Sequence, residues 1–265
     1  MKSLALSLAL VSLANTAAIA AVSYTTYGAT VSQNFDTLAT TGTTNAWTND
    51  TTLTGWHLFR QPTATPVALT TYSTGTGSSN AGNFYSFGPS GNSDRALGGL
   101  GTGTYFGSPS SGSVAGWIAV SLTNNTAITL DTILIGYDGE QWRDGGNITA
   151  QTMVLEYGIG ATFATVSSWT AAGSAYNFTS PVATATGAAV NGNVAGLAAG
   201  KGGTLTGVAW NAGDTLWIRW VENNDAGNDH GLALDNFTFA AVPEPSTGLL
   251  GLAAVAMIPL RRRRK

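Results

Sequence analysis

Apolar and polar positions along the middle of the chain alternate with a period of two, or run apolar over short lengths. Long stretches with the 3.6-residue period of a helix are missing there. The strand signal is best at 114–122, 127–137, 152–159, 163–169, 204–210, 214–222 and 231–240, all rich in β-branched and aromatic residues. Those residue types suit a pleated, half-buried surface. Gly, Thr, Asn and Ser punctuate the sequence about every ten residues and mark turns. Many short strands at regular spacing predict an all-β, two-sheet β-sandwich, jelly-roll-like in order, forming one domain over 22–241.

The stretch 214–222 shows the logic. Leu216, Ile218 and Trp220 fall on one face, and Trp217, Arg219 and Val221 on the other. Large apolar groups on both faces predict a central strand. A buried arginine there needs a carboxylate partner, with Glu140, Glu156 and Asp235 as candidates. The segment 64–112 is different: it is mostly Gly, Ser and Asn with scattered aromatics, and is expected to form long loops over a sheet edge. Asp94 and Arg95 within it suggest a fixed turn.

Both ends break the pattern. Residues 1–21 carry one cation, Lys2, an apolar stretch over 4–13, and Ala18-Ile19-Ala20 before a cleavage point after Ala20 or Ala21. That is the layout of a secretory signal, whose apolar helix is too short to span a bilayer comfortably. At the other end, 242–265 opens on Pro243, Glu244 and Pro245 and continues through an uncharged run to Leu260. It closes on Arg261, Arg262, Arg263, Arg264 and Lys265. A membrane span normally needs about 20 residues, so 247–260 predicts a short, marginal transmembrane helix. The cations behind it stop transfer and stay cytoplasmic.

Composition narrows the function. Charged residues are only 9% of the 265, against about 25% in an average soluble chain. Cysteine is absent, which excludes disulfides, thiolate nucleophiles and Cys-zinc sites. Between Ala21 and Ala241 one Lys and four Arg face 13 carboxylates. An acidic body argues against nucleic-acid binding; it suits neutral partners such as glycans, and bound cations. G-x-S-x-G, P-loop and dinucleotide motifs are missing, and two histidines leave little room for a Ser-His-Asp arrangement.

Two constellations remain. In "YDGEQWRDGG", Asp138, Glu140, Arg143 and Asp144 cluster at a strand end. They read either as a structural charge cluster of Glu140 with Arg143 or Arg219, as a saccharide contact through Trp142, or as an acid–base pair for glycoside cleavage using Glu140 with Asp138 or Asp229. In "ENNDAGNDHGLALDN", oxygen ligands crowd a Gly-containing loop. Asp225, Asn228, Asp229 and Asp235 are the candidate Ca²⁺ ligands, although the spacing is not that of an EF-hand; the plain alternative is a polar hairpin loop with Asx turns. His230 is read as structural, since only His57 could join it on zinc. Of the aromatics, Trp117, Trp217 and Trp220 sit mid-strand and are expected in the core. Trp47, Trp56, Tyr85 and Trp142 lie in or beside loops and are the candidate sugar-stacking contacts.

The tail "VPEPST", apolar run and "RRRRK" resembles the PEP-CTERM sorting signal of Gram-negative bacteria. The resemblance implies export, recognition of Pro243-Glu244-Pro245 by an exosortase, temporary inner-membrane anchoring, and a final place at the cell surface or outside. It also implies association with exopolysaccharide and biofilm. "NFDTLATTGTTNAWTNDTTLTGWHLFR", "SFGPSGNSDRALGGL", "GYDGEQWRDGGN" and "WIRWVENNDAGNDHGLALDNFTF", over 33–239, are similar to a secreted bacterial β-sandwich domain that also stands in front of surface nuclease or phosphatase modules. No such module follows here. The expected function is a non-catalytic surface or matrix protein that binds carbohydrate. The alternatives are a secreted glycan hydrolase and a purely structural surface protein.

Overall fold

The structure, a computed structural model, describes residues 21–61, 65–102 and 113–243. The expected signal helix, Glu244, Pro245, the apolar run and the terminal cations lie outside the described residues. Among those described, no helix is long and apolar enough to cross a membrane.

The strands are β1 (Val22–Tyr24), β2 (Val31–Gln33), β3 (Asn45–Ala46), β4 (Trp56–Arg60), β5 (Val67–Ala68), β6 (Thr71–Gly75), β7 (Asn83–Phe87), β8 (Ala96–Leu100) and β9 (Ser113–Asn124). They continue with β10 (Thr132–Asp144), β11 (Thr152–Ile159), β12 (Thr170–Ala171), β13 (Phe178–Thr179), β14 (Ala188–Ala189), β15 (Leu197–Leu205), β16 (Thr215–Asn224) and β17 (Gly231–Val242). They form two sheets. The first runs β12-β11-β16-β9-β4-β5, with β1 on β9 and β13 on β11. The second runs β14-β10-β17-β8-β7-β6-β3, with β15 on β10 and β2 on β17. The chain changes sheet between β1 and β2, β3 and β4, β5 and β6, β8 and β9, β9 and β10, β10 and β11, β13 and β14, β15 and β16, and β16 and β17, which makes this a β-sandwich.

The inner faces meet through alternate residues. Leu58, Ile118, Val120, Leu155, Ile218 and Trp220 come from the first sheet, and Leu97, Ile133, Ile135, Tyr137, Leu234 and Phe237 from the second. Trp56 and Trp220 stack at 5.9 Å, and both meet the edge of Phe237, at 5.2 and 5.7 Å. Each such side chain contributes roughly 1.5–3 kcal/mol by burial. Each sheet also carries an apolar cluster on its outer face. On the first, Trp117, Trp217 and Val221 are capped by Phe163; on the second, Tyr85, Phe87, Ala96, Trp142 and Ala233 pack together.

The expectation for 214–222 holds: β16 lies between β11 and β9, with Leu216, Ile218 and Trp220 inside. Other stretches differ. Residues 163–165 form a 3-10 turn whose Phe163 stacks on Phe59 at 4.2 Å; the apolar pattern of 163–169 serves to cap a sheet face rather than to pair. In 204–210, only 204 and 205 belong to a strand, and Trp210 makes an isolated bridge to Leu130. The segment 64–112 reads as loops in the sequence, yet it holds β6, β7 and β8, all paired on both sides within the second sheet. Gly98 explains the missing signal: a Cβ there would stand 2.3 Å from the carbonyl of Leu232, so close approach to β17 excludes side chains. β10 runs on past Tyr137 to Asp144, so Asp138 and Glu140 are within a strand.

Candidate functional site

The strand register gathers several strand ends at one end of the sandwich. Arg143 of β10 opposes Gly231 of β17, Gly231 opposes Leu100 of β8, and Leu100 opposes Asn83 of β7. From the first sheet, Asn224 at the end of β16 opposes Ser113 at the start of β9. The β16–β17 connection closes over this end. It is held by side chains: Oδ1 of Asp229 accepts from the Asp225 N–H at 2.8 Å, Asn147 Nδ2 donates to the Ala226 carbonyl at 2.7 Å, and Gln151 Nε2 donates to the Asn228 carbonyl at 3.2 Å. His230 is buried beneath, its Nδ1 accepting the Gly145 N–H at 2.9 Å.

A cleft of about 250 Å³ opens at this end, lined by Asn80, Leu100, Gly101, Thr102, Arg143, Gly145, Asn224, Gly227, Asn228 and Asp229. Among the described residues its walls are amides, a hydroxyl, a guanidinium and a carboxylate, with Leu100 the one large apolar residue. Arg143 is anchored by donating from Nη1 to the carbonyls of Gly77 at 3.1 Å and Ser78 at 3.2 Å. Burial, followed by the charge of Asp225, pushes the Asp229 carboxyl up to about 7, against hydrogen bonds that lower it. Behind it, burial with the charges of Asp229 and Asp225 pushes Glu222 up to about 8.

Several sequence expectations are corrected. Trp47, Trp56 and Trp142 are each 2% exposed and Tyr85 is 3% exposed, so none offers a ring face to a sugar. Trp47 and Trp56 belong to the inter-sheet core. Tyr85 and Trp142 belong to the outer cluster of the second sheet, where a Cβ on Gly192 would touch the Trp142 indole at 2.4 Å. Glu140, Arg143 and Arg219 do not form one cluster. Arg219 pairs with Glu156 at 2.6 Å on the first sheet, the second of its three candidate partners. Glu140, on the second sheet, accepts from Trp142 Nε1 at 2.8 Å. Arg143 turns to backbone carbonyls.

Asp225, Asn228 and Asp229 share the β16–β17 connection, but Asp235 does not join them. Asp235 lies in β17 opposite Asp138, and the charges acting on it are those of Glu140, Asp94 and Asp36. Glu140 and Asp229 do not line the same cleft either. Asp138 is engaged elsewhere, accepting from the Gly200 N–H at 2.7 Å and Asn236 Nδ2 at 3.0 Å. Among the described residues, no three His, Asp or Glu side chains are grouped as a ready metal-ligand set. Sequence reasoning missed Asn80, Thr102 and Arg143 as neighbours of the 225–229 loop, because only the register of β7, β8, β10 and β17 brings them together.

No family model and no curated protein matches the chain by sequence. Among solved structures it is similar to the CBM22-1 xylan-binding domain from Paenibacillus barcinonensis Xyn10C, at 11% identity over 81% of this chain and 95% of that one, with a TM-score of 0.36. It is also similar to an Arthrobacter globiformis T6 isomalto-dextranase complexed with panose, at 12% identity over 83% of this chain and 33% of that one, with a TM-score of 0.30. Neither likeness is close enough to carry a site across.

Proposed function

We propose that this chain is an exported, non-catalytic surface or matrix protein whose β-sandwich binds a neutral saccharide in the cleft at its end. The observation that carries this reading is the polar lining of that cleft. Asn80, Thr102, Asn224 and Asn228 offer both donors and acceptors, and Arg143 adds donors in a fixed fork. Sugar hydroxyls need that mixture, and the volume suits a small ligand or one end of a chain. The acidic body favours a neutral glycan over an anionic one. A non-catalytic role is supported by the burial of Glu140, which does not line the cleft. The repeated crossings of the described strands from one sheet to the other support a jelly-roll-like order.

Export and final location rest on the ends of the sequence. The 1–21 segment has a signal layout, and Pro243-Glu244-Pro245 with the run to Lys265 resembles a PEP-CTERM tail. Exosortase is then the processing partner, and exopolysaccharide or biofilm the setting. Co-sedimentation of the full chain with a panel of insoluble neutral polysaccharides, alongside assays of sugar release, tests the function. Retention on one or more glycans without release of reducing sugar is expected. Turnover, or no retention on any glycan, contradicts it.

A further inference from the structure

Glu222 follows Trp220 on the inner face of β16, and its side chain ends up only 4% exposed. Its Oε1 has no hydrogen-bond partner. A buried carboxylate oxygen left in that condition is costly, by roughly 1–3 kcal/mol or more. The strand opposite is bare at this point. A Cβ on Gly99 would stand 2.9 Å from Oε1 of Glu222. A Cβ on Gly101, two residues along the same side of the chain, would stand 2.7 Å from Oδ2 of Asp229 and 3.1 Å from the carbonyl oxygen of Asn223. Oxygens from a glutamate, an aspartate and the backbone thus crowd the side of the chain kept free by two glycines. Asp229 is oriented through its other oxygen, Oδ1, which accepts from the Asp225 N–H and from Gln151 Nε2. The charges that bear on Glu222 are those of Asp229 and Asp225, both acidic.

We propose that Glu222, Asp229 and the Asn223 carbonyl bind one calcium ion at the inner end of the cleft. Calcium takes six to eight oxygens, mixes carboxylates with backbone carbonyls, tolerates irregular geometry, and completes its shell with amide oxygens and water. Two carboxylates match its charge, and the otherwise unpartnered Oε1 gains a partner. Magnesium demands near-octahedral geometry and keeps its waters, which a set of converging protein oxygens does not favour. The ligand set differs from the one the sequence suggests: Asp229 stays, Glu222 and the Asn223 carbonyl enter, and Asp225, Asn228 and Asp235 are not part of it. This inference does not depend on saccharide binding, and the two fail separately.

The test is calorimetric titration of calcium into the full chain stripped with EGTA, with thermal unfolding in parallel. The expected result is one ion per chain with a Kd between about 10⁻⁶ and 10⁻³ M, and a melting midpoint that rises with calcium and falls back on adding EGTA. Magnesium should bind at least about tenfold more weakly. Glu222→Gln and Asp229→Asn should each weaken calcium at least about tenfold, and Asp235→Asn should leave it unchanged. Should either ligand variant fail to fold, the unmodified chain still decides. No heat and no midpoint shift up to about 10 mM calcium, or an equal response to magnesium, overturns the proposal. So does a folded Glu222→Gln that binds calcium like the parent.

Discussion

The indole N–H of Trp142 donates to Oε2 of Glu140 two residues away on the same strand, at 2.8 Å, with both side chains buried. Burial is the main cause that lifts the Glu140 carboxyl to about 7, and this bond opposes it. Trp142→Phe removes the donor and keeps most of the ring. The variant should lose about 1–3 kcal/mol of stability and should raise the Glu140 pKa further, read by urea unfolding and by NMR of the carboxyl. An unchanged pKa would mean that the bond does not form in solution.

The same face of the second sheet makes stability depend on pH. Burial first, then the charges of Asp94 and Asp138, raises Glu140 from 4.5 to about 7. Burial first, then Glu140, Asp94 and Asp36, raises Asp235 from 3.8 to about 8. Groups raised in the folded state bind protons there more tightly than in the unfolded chain. Their contribution is complete below the ordinary values and is lost as pH climbs through the folded ones. His57 acts oppositely: burial lowers it from 6.5 to about 4, so its contribution is complete above 6.5 and is lost as pH falls toward 4. Between pH 6.5 and 8, therefore, the unfolding midpoint in urea should fall. Glu140→Gln should flatten the slope, by up to about 1.4 kcal/mol per pH unit. A midpoint that rises over this window would contradict the assignment.

Arg219 combines an ion pair with a stacked cation. Its Nη2 lies 2.6 Å from Oε2 of Glu156, and its guanidinium carbon lies 3.7 Å from the centre of the Trp169 ring. Lysine keeps the charge but cannot reproduce the planar stack or the fork. Arg219→Lys should cost about 0.5–2 kcal/mol, with a matching change in tryptophan fluorescence. A neutral result would place the group in open solvent.

Gly98 tests the placement of β8. Its missing Cβ would meet the Leu232 carbonyl at 2.3 Å and the Ala233 Cβ at 2.5 Å. Gly98→Ala should force β8 away from β17 and cost more than about 4 kcal/mol, whereas Gly91→Ala, in open space but at a positive φ of 72°, should cost only about 1 kcal/mol. Equal small effects at the two positions would rule out this strand pairing.

How much of this was legible in the sequence varies with the physics. β9, β11, β16 and β17 could be read because β-branched and aromatic residues alternate along them. β8 could not, because Gly98 and Gly99 replace side chains with close backbone approach, and such absences leave no periodic trace. Phe163 looked like a strand residue because it is apolar for another purpose, covering Trp217 and Phe59 from outside. The acidic loop 222–229 was visible as a cluster of oxygens. Which of them face the same segment was not, since Glu222 lies against Gly99 and Asp229 against Gly101, in and just after a strand of the other sheet. The aromatic candidates failed for a related reason: proximity to a turn says nothing about which loop folds back over the ring, as the 192 region does over Trp142.

The most direct test of the account is to titrate the isotope-labelled full chain with oligosaccharides and follow the backbone amide resonances. Shifts should concentrate at Gly101, Thr102, Gly145 and 224–229, the rim of the cleft, and Arg143→Ala should weaken them at least about tenfold. Shifts confined to the outer sheet faces, or none with any neutral glycan, would contradict saccharide recognition at this end of the sandwich.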